Sequence, residues 1–172
     1  MNKDLQIAKK TVQTEIQALK RLSTSFGRSS QFSKAVNLVS KLKGKCIVVG
    51  VGKSYLVGLK ISATLSSLGT PSFACSANDL QHGGLGAIQK NNDALLVLSV
   101  SGESSELNSI LRFANRHNIT TIGVSCKSSS MLLRFSTIKI LLPNVIEAGH
   151  SLAPTASSLI FTSRGHALAI AC

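Results

Sequence analysis

The sequence predicts an α/β fold, a three-layer αβα sandwich around a five-stranded parallel sheet. Five short apolar runs, at 46–49, 72–75, 93–99, 119–125 and 138–142, alternate with segments whose apolar residues recur at helical spacing. That alternation gives parallel strands covered on both faces by helices. Two of the runs, the first and the third, enter the following helix through a turn rich in glycine or serine, at 50–54 and 99–106. Parallel sheets bind ligands beyond the carboxyl ends of their strands, and both turns fall there.

Taken in order, residues 3–25 carry Leu5, Ala8, Val12, Ile16, Leu19 and Leu22, a narrow apolar stripe on a helix otherwise rich in Lys and Gln. Residues 26–30 form a turn around Gly27, and Phe32, Val36, Val39 and Leu42 mark a second amphipathic helix that stops at Gly44. The sheet starts at Cys46. A third helix follows the turn at 50–54 and carries Leu56, Leu59, Ile61, Ala63, Leu65 and Leu68; Gly69-Thr70-Pro71 then turns the chain into the second strand. The stretch 78–86, with His82 among four polar residues and three glycines, reads as irregular. After the third strand, Leu107, Ile110, Leu111 and Ala114 give another helix. Residues 155–172 are apolar enough for a buried final helix opened by Pro154.

At 172 residues and 44% hydrophobic content the chain is one domain with a real core. No apolar run is as long as a membrane span and the first residues lack the apolar stretch of a signal peptide, so a soluble cytoplasmic protein with no membrane partner is expected. Cys46, Cys75, Cys126 and Cys172 show no metal or disulfide spacing. The formal charge is +12, but ten of the 19 basic residues lie before Cys46, spread around two helices, and aromatics are only 4%. A nucleic-acid surface asks for clustered cations and stacking rings, so no nucleic-acid partner is expected.

The chemistry concentrates in the two turns. In Ser99-Val-Ser-Gly-Glu-Ser-Ser-Glu106, hydroxyls and free amides converge on a helix start, where the helix dipole favours an anion such as phosphate. Gly102 lets the backbone approach closely. The plainer alternative is that Ser104 caps the helix with Glu103 and Glu106 in its first turn. The turn Gly50-Val-Gly-Lys-Ser54 is neither of the two nucleotide motifs it suggests: a P-loop needs glycine at 47, which is Ile, and a dinucleotide fingerprint needs glycine at 55, which is Tyr. Lys53 and Ser54 still place a cation and a hydroxyl beside an anion. Glu147, in the loop 145–154, is one of only seven acids and a candidate for proton transfer. His82 reads as a loop histidine.

Five motifs stand in order: Gly-Val-Gly-Lys-Ser at 50–54, Gly-Thr-Pro-Ser-Phe at 69–73, His-Gly-Gly-Leu-Gly at 82–86, Ser-Gly-Glu-Ser-Ser-Glu at 101–106 and Leu-Ala-Pro-Thr-Ala-Ser at 152–157. With them, residues 46–168 resemble the sugar isomerase (SIS) domain, and within it the arabinose 5-phosphate isomerases of Kdo and lipopolysaccharide synthesis. The resemblance implies a flavodoxin-like core over 45–172, with the helices of 1–44 packed on it and forming an oligomer interface. It implies that Ser54, Ser99, Ser101 and Ser104 hold a substrate phosphate, that Gly52, Gly69, Thr70, Gly102 and Glu103 line the sugar phosphate and that His82 touches the sugar. Lys53, Glu106 and Glu147 are implied as catalytic, with the base open between the two glutamates and a lean to Glu147. The implied reaction interconverts ribulose 5-phosphate and arabinose 5-phosphate through an enediol and needs no cofactor; the implied alternative is a module that binds sugar phosphate without converting it. Close relatives carry a metal-associated histidine where this chain has Ser76, so no metal is expected. Gly84 and His166 each stand where the family has Asp. The family's functional histidine beyond the final helix and its paired cystathionine-β-synthase-type domains fall past position 172. A homo-oligomer, dimer or tetramer, is expected.

Overall fold

A computed structural model describes residues 2–28, 30–149 and 152–172. Residue 29 of the expected turn and residues 150 and 151 of the expected loop lie outside the described residues. The strands β1 (Cys46–Gly50), β2 (Ser72–Ser76), β3 (Ala94–Leu98), β4 (Thr120–Ser125) and β5 (Ile138–Leu141) form one parallel sheet in the order β2-β1-β3-β4-β5. The helices are α1 (Lys3–Ser25), α2 (Ser30–Val39), α3 (Lys53–Ser67), α4 (Ala77–Gln81), α5 (Glu106–Arg116), α6 (Met131–Phe135) and α7 (Ala156–Ala171). No described helix is long and apolar enough to cross a membrane.

Strand periodicity assigns the layers. Val48, Leu96, Leu98, Val124 and Ile140 point to one face, where they pack with Ala18 and Leu22 of α1, Ala35 of α2, Ile61 and Leu65 of α3, and Ile160 and Phe161 of α7. Their neighbours Ile47, Val49, Leu95 and Val97 point to the other, against Leu80 of α4, Leu107, Ile110 and Leu111 of α5 and Leu132 of α6. Because both faces are covered, the central strands β1 and β3 are buried without alternation, whereas the edge strand β5 alternates buried and exposed residues. That is the three-layer αβα sandwich the sequence predicts.

Three local expectations are corrected. The second helix ends at Val39, not Gly44: Lys41 and Leu42 donate to Leu38 and Val39, three residues back, so the chain tightens out of α-helix while Leu42 still reaches the core. The stretch 78–86 is largely ordered, as α4 and a 3₁₀ turn at Gly84–Ala87, because Ala77 and Leu80 bury against the sheet. Helix α6 was not expected in a serine-rich turn; Ser130 caps it by accepting from the N–H of Leu133, and Leu132 and Leu133 are buried.

Only Ala18 and Leu22 of α1 are buried, while Leu5, Val12 and Ile16 on its earlier turns stand 62%, 54% and 43% exposed. On β5, an edge strand, Lys139 is exposed and its N–H donates to the Gln31 side chain of α2 at 3.3 Å.

Candidate anion site and its flanking carboxylates

The strand order reverses direction between β1 and β3. From β1 the chain crosses to β2 on one side; from β3 it runs on to β4 and β5 on the other. The helices leaving β1 and β3 therefore diverge and leave a crevice at the carboxyl ends of those strands. The two candidate turns are the rims of that crevice.

On the β1 side, Gly52 caps α3 with φ +53°, a value that favours glycine. It is followed by Lys53, exposed at the first position of α3, and partly buried Ser54. Lys53 and Ser54 share a narrow cleft with Val100 beyond β3 and with Pro154, Ser158 and Phe161 at the start of α7. A cation, a hydroxyl and a helix start thus face one cleft.

On the β3 side, the loop 99–106 is folded around its own serines. Ser99, 5% exposed, accepts from the N–H of Gly102 at 3.0 Å and lies 3.4 Å from the Ser104 hydroxyl. Ser101 accepts from the N–H of Glu103 at 3.3 Å. Gly102 has φ +64°, and a Cβ there would meet Ser130 at 2.5 Å, so neither the conformation nor the space admits a side chain. Ser104 does not cap α5; Ser105 stands at that position and makes no side-chain cap. Among the described residues the amides of Ser104, Ser105 and Glu106 therefore have no protein acceptor. Free amides beside two hydroxyls at the start of an 11-residue helix suit an anion.

The carboxylates are placed differently from one another. Glu103 turns outward to Lys127, Oε1 to Nζ 3.1 Å, and the hydrogen bond from Lys127 holds its carboxyl below the usual carboxylate range. Glu106, the first residue of α5, accepts from the Ser105 hydroxyl at 3.2 Å, and its carbonyl accepts from the Gln81 side chain of α4. His82 follows Gln81 and is exposed, which puts it on the α4 side of the same rim. Glu147 is committed elsewhere: Oε2 accepts from the N–H and the hydroxyl of Thr155 at 2.8 and 3.0 Å and from the N–H of Ser157 at 3.2 Å. Partial burial pushes its carboxyl up, but the bonds from Thr155 and Ser157 outweigh it and leave the pKa lowered. Glu147 also lines a second cleft, against Ile7, Lys10, Thr11 and Thr14 of α1.

Gly69 and Thr70 lie at the opposite, amino-terminal end of the strands. They precede Ser72, which pairs with Cys46 at the beginning of β1, whereas Ser54 follows its end. Five strand residues separate the two ends, roughly 17 Å. The Gly69 N–H donates to Ser66 and the Thr70 N–H to Leu65, with Gly69 at φ +93°, which is the Schellman closure of α3. Within one chain they are helix-capping residues away from the crevice. Among the described residues, no three His, Cys, Asp or Glu side chains group as a metal site requires.

Sequence reasoning missed Gln81, Ser125, Lys127 and Ser130. Ser125 donates to the Val100 carbonyl at 3.0 Å, and Leu132 donates from its N–H to the Gly102 carbonyl at 3.0 Å, so the segment 125–132 is the floor under the anion loop. The one signal was the run of serines after β4, which carries no period.

Comparison with known proteins agrees with this architecture. The SIS domain family matches residues 38–171. Arabinose 5-phosphate isomerase KdsD of Pseudomonas aeruginosa is 38% identical over 165 residues, 95% of this chain and 50% of that protein. An uncharacterised protein of Rickettsia prowazekii is 35% identical over 162 residues, 94% of this chain and 50% of its own length. The chain spans about half the length of the curated relatives it matches. Among solved structures, an E. coli CFT073 protein in complex with arabinose 5-phosphate superposes with a TM-score of 0.90 at 28% identity, covering 99% of this chain and 91% of that one. A crevice at the β1/β3 switch, a serine-lined helix start and a family match across most of the length agree: the chain belongs to the SIS domain family.

Proposed function

We propose that this chain is the isomerase domain of an arabinose 5-phosphate isomerase, interconverting ribulose 5-phosphate and arabinose 5-phosphate through an enediol. The observation that carries the reading is the 99–106 loop, whose free amides and the hydroxyls of Ser101 and Ser104 suit a phosphate, with Ser54 in a cleft shared with Val100 of the same loop. The names of the relatives and the solved complex with arabinose 5-phosphate support the same substrate class. The proposed setting is cytoplasmic, in the supply of Kdo.

Isomerisation removes a proton from the carbon next to the carbonyl and returns one to its neighbour. Lys53, exposed at the cleft, balances the charge that develops on the enediolate oxygen. Of the two glutamates we take Glu106 as the base, since Glu147 is committed to holding the start of α7 through one of its oxygens. His82, beside Glu106 on the rim, contacts the sugar. A homo-oligomer completes the assembly: the exposed stripe Leu5, Val12 and Ile16 of α1 pairs with a second copy.

Conversion of ribulose 5-phosphate by the purified chain tests the reading. Turnover is lost in Glu106→Gln, and the thermal shift given by arabinose 5-phosphate disappears in the pair Ser101→Ala with Ser104→Ala. Turnover that survives Glu106→Gln overturns the base, and a thermal shift that survives loss of both serines overturns the phosphate seat. The commitment of Glu147 to α7 favours a second reading, binding without conversion; a saturable thermal shift with no turnover establishes it.

A further inference from the structure

The phosphate seat carries an electrostatic fault of its own. Its free amides belong to Ser104, Ser105 and Glu106, and Glu103 immediately precedes them. A carboxylate at that point repels the dianion the loop is built to hold. The chain has 19 basic residues against seven acidic ones, so most of its cations stand without an acid nearby; yet the ion pair found among the described residues is the one on this loop, Lys127 to Glu103 at 3.1 Å. Lys127 does not belong to the loop. It projects from the 125–132 floor, which grips the loop through Ser125 to Val100, Cys126 N–H to Val100 and Leu132 N–H to Gly102, each at 3.0 Å. The floor therefore fixes both the height of the loop and the place of the cation that makes the largest contribution to offsetting its stray charge, with the Met131 N–H and the Arg134 charge of α6 adding smaller ones.

We infer that Lys127 is a positioning residue for sugar-phosphate binding: by pairing with Glu103 it holds that carboxylate and offsets most of its repulsion of the phosphate. This rests on the reading of the 99–106 loop as a phosphate seat. Lys127 has no part in proton transfer, so its loss acts on affinity and not on the rate of the bound complex. A carboxylate roughly 8 Å from a dianion in water weakens binding about fivefold, within a range of roughly threefold to tenfold.

The test is calorimetric titration of the parent chain, Lys127→Ala, Lys127→Arg and the double variant Lys127→Ala with Glu103→Gln with arabinose 5-phosphate, at low and at high sodium chloride. Both side chains are substantially exposed, 53% and 39%, so the variants keep the fold, which their melting curves check. Lys127→Ala binds threefold to tenfold more weakly at low salt, the gap narrows as salt screens the charges, Lys127→Arg binds like the parent, and removal of Glu103 recovers most of the loss. In turnover the deficit appears in KM with kcat little changed. Parent-like affinity in Lys127→Ala overturns the inference. So does a double variant as weak as Lys127→Ala, which makes Lys127 a direct phosphate ligand. A parent chain that binds no sugar phosphate overturns the phosphate seat itself, and this inference with it.

Discussion

The guanidinium carbon of Arg164 stands 3.7 Å from the centre of the Phe26 ring, inside the helical layer and only 3% exposed. Phe32 lies 5.3 Å away, and Nη2 donates to the Ser25 hydroxyl at 2.9 Å, so α7 is pinned to the elbow between α1 and α2. No carboxylate balances the charge among the described residues, Nε and Nη1 have no hydrogen-bond partner there, and burial pushes the Arg164 pKa down to about 10.

Replacing Arg164 by Met keeps the stem's volume against both rings and removes a charge without a counter-ion. The ring contact is worth about 1–2 kcal/mol, whereas unpartnered buried donors cost about 1–3 kcal/mol each. Arg164→Met therefore unfolds at a higher denaturant midpoint than the parent. A lower midpoint shows that the ring contact outweighs the burial. Arg164→Ala, which also empties the space against the rings, is less stable than Arg164→Met in either case.

Glu147 acts as the carboxylate cap of α7. Glu147→Gln at pH 7 costs about 1 kcal/mol, the difference between charge-assisted and neutral acceptance. Its folded pKa lies below the ordinary 4.5, so the carboxylate's contribution is complete above pH 4.5 and fades as the pH falls through the folded value. Melting curves between pH 7 and pH 3 check this: the parent loses its advantage over Glu147→Gln at the acid end. A constant gap across the range removes the capping role.

Gly69→Ala separates two roles for that residue. As the left-handed residue of a Schellman closure it has room for a Cβ, with nothing within 4 Å, but the wrong φ for one. The substitution costs about 1 kcal/mol in a urea melt and leaves the affinity for arabinose 5-phosphate as it was. Lost affinity at unchanged stability would return Gly69 to the substrate.

The sheet was legible because the central strands β1 and β3 are short apolar runs buried on both faces, and the β-branched and apolar residues of β4 and β5 bounded by polar turns extend the same rhythm. The five-residue helices were not: α4 and α6 span little more than one turn, too short for a 3.6-residue period to separate from noise, and a capping serine such as Ser130 looks like any loop serine. Within the site, the serines of 99–106 announced themselves by density and by position after a strand. Glu147 shows what spacing cannot carry. Its partners Thr155 and Ser157 lie eight and ten residues on, across an irregular loop, and only the folded path makes them a cap. The Gly69-Thr70 pair shows the converse: a motif word shared with a family, spent in this chain's geometry on ending a helix.

The contact between Gln31 and Lys139 guards one edge of the sheet. By occupying an edge N–H of β5 from the side and leaving a lysine exposed along the same strand, it denies an incoming strand both a hydrogen-bond partner and a neutral approach. Edge-to-edge addition of a strand is thereby disfavoured at β5, by a guard that does not reach the opposite edge of the sheet, β2. Loosening α2 frees the Lys139 N–H at the same time as it strips Ala35 and Val39 from the core.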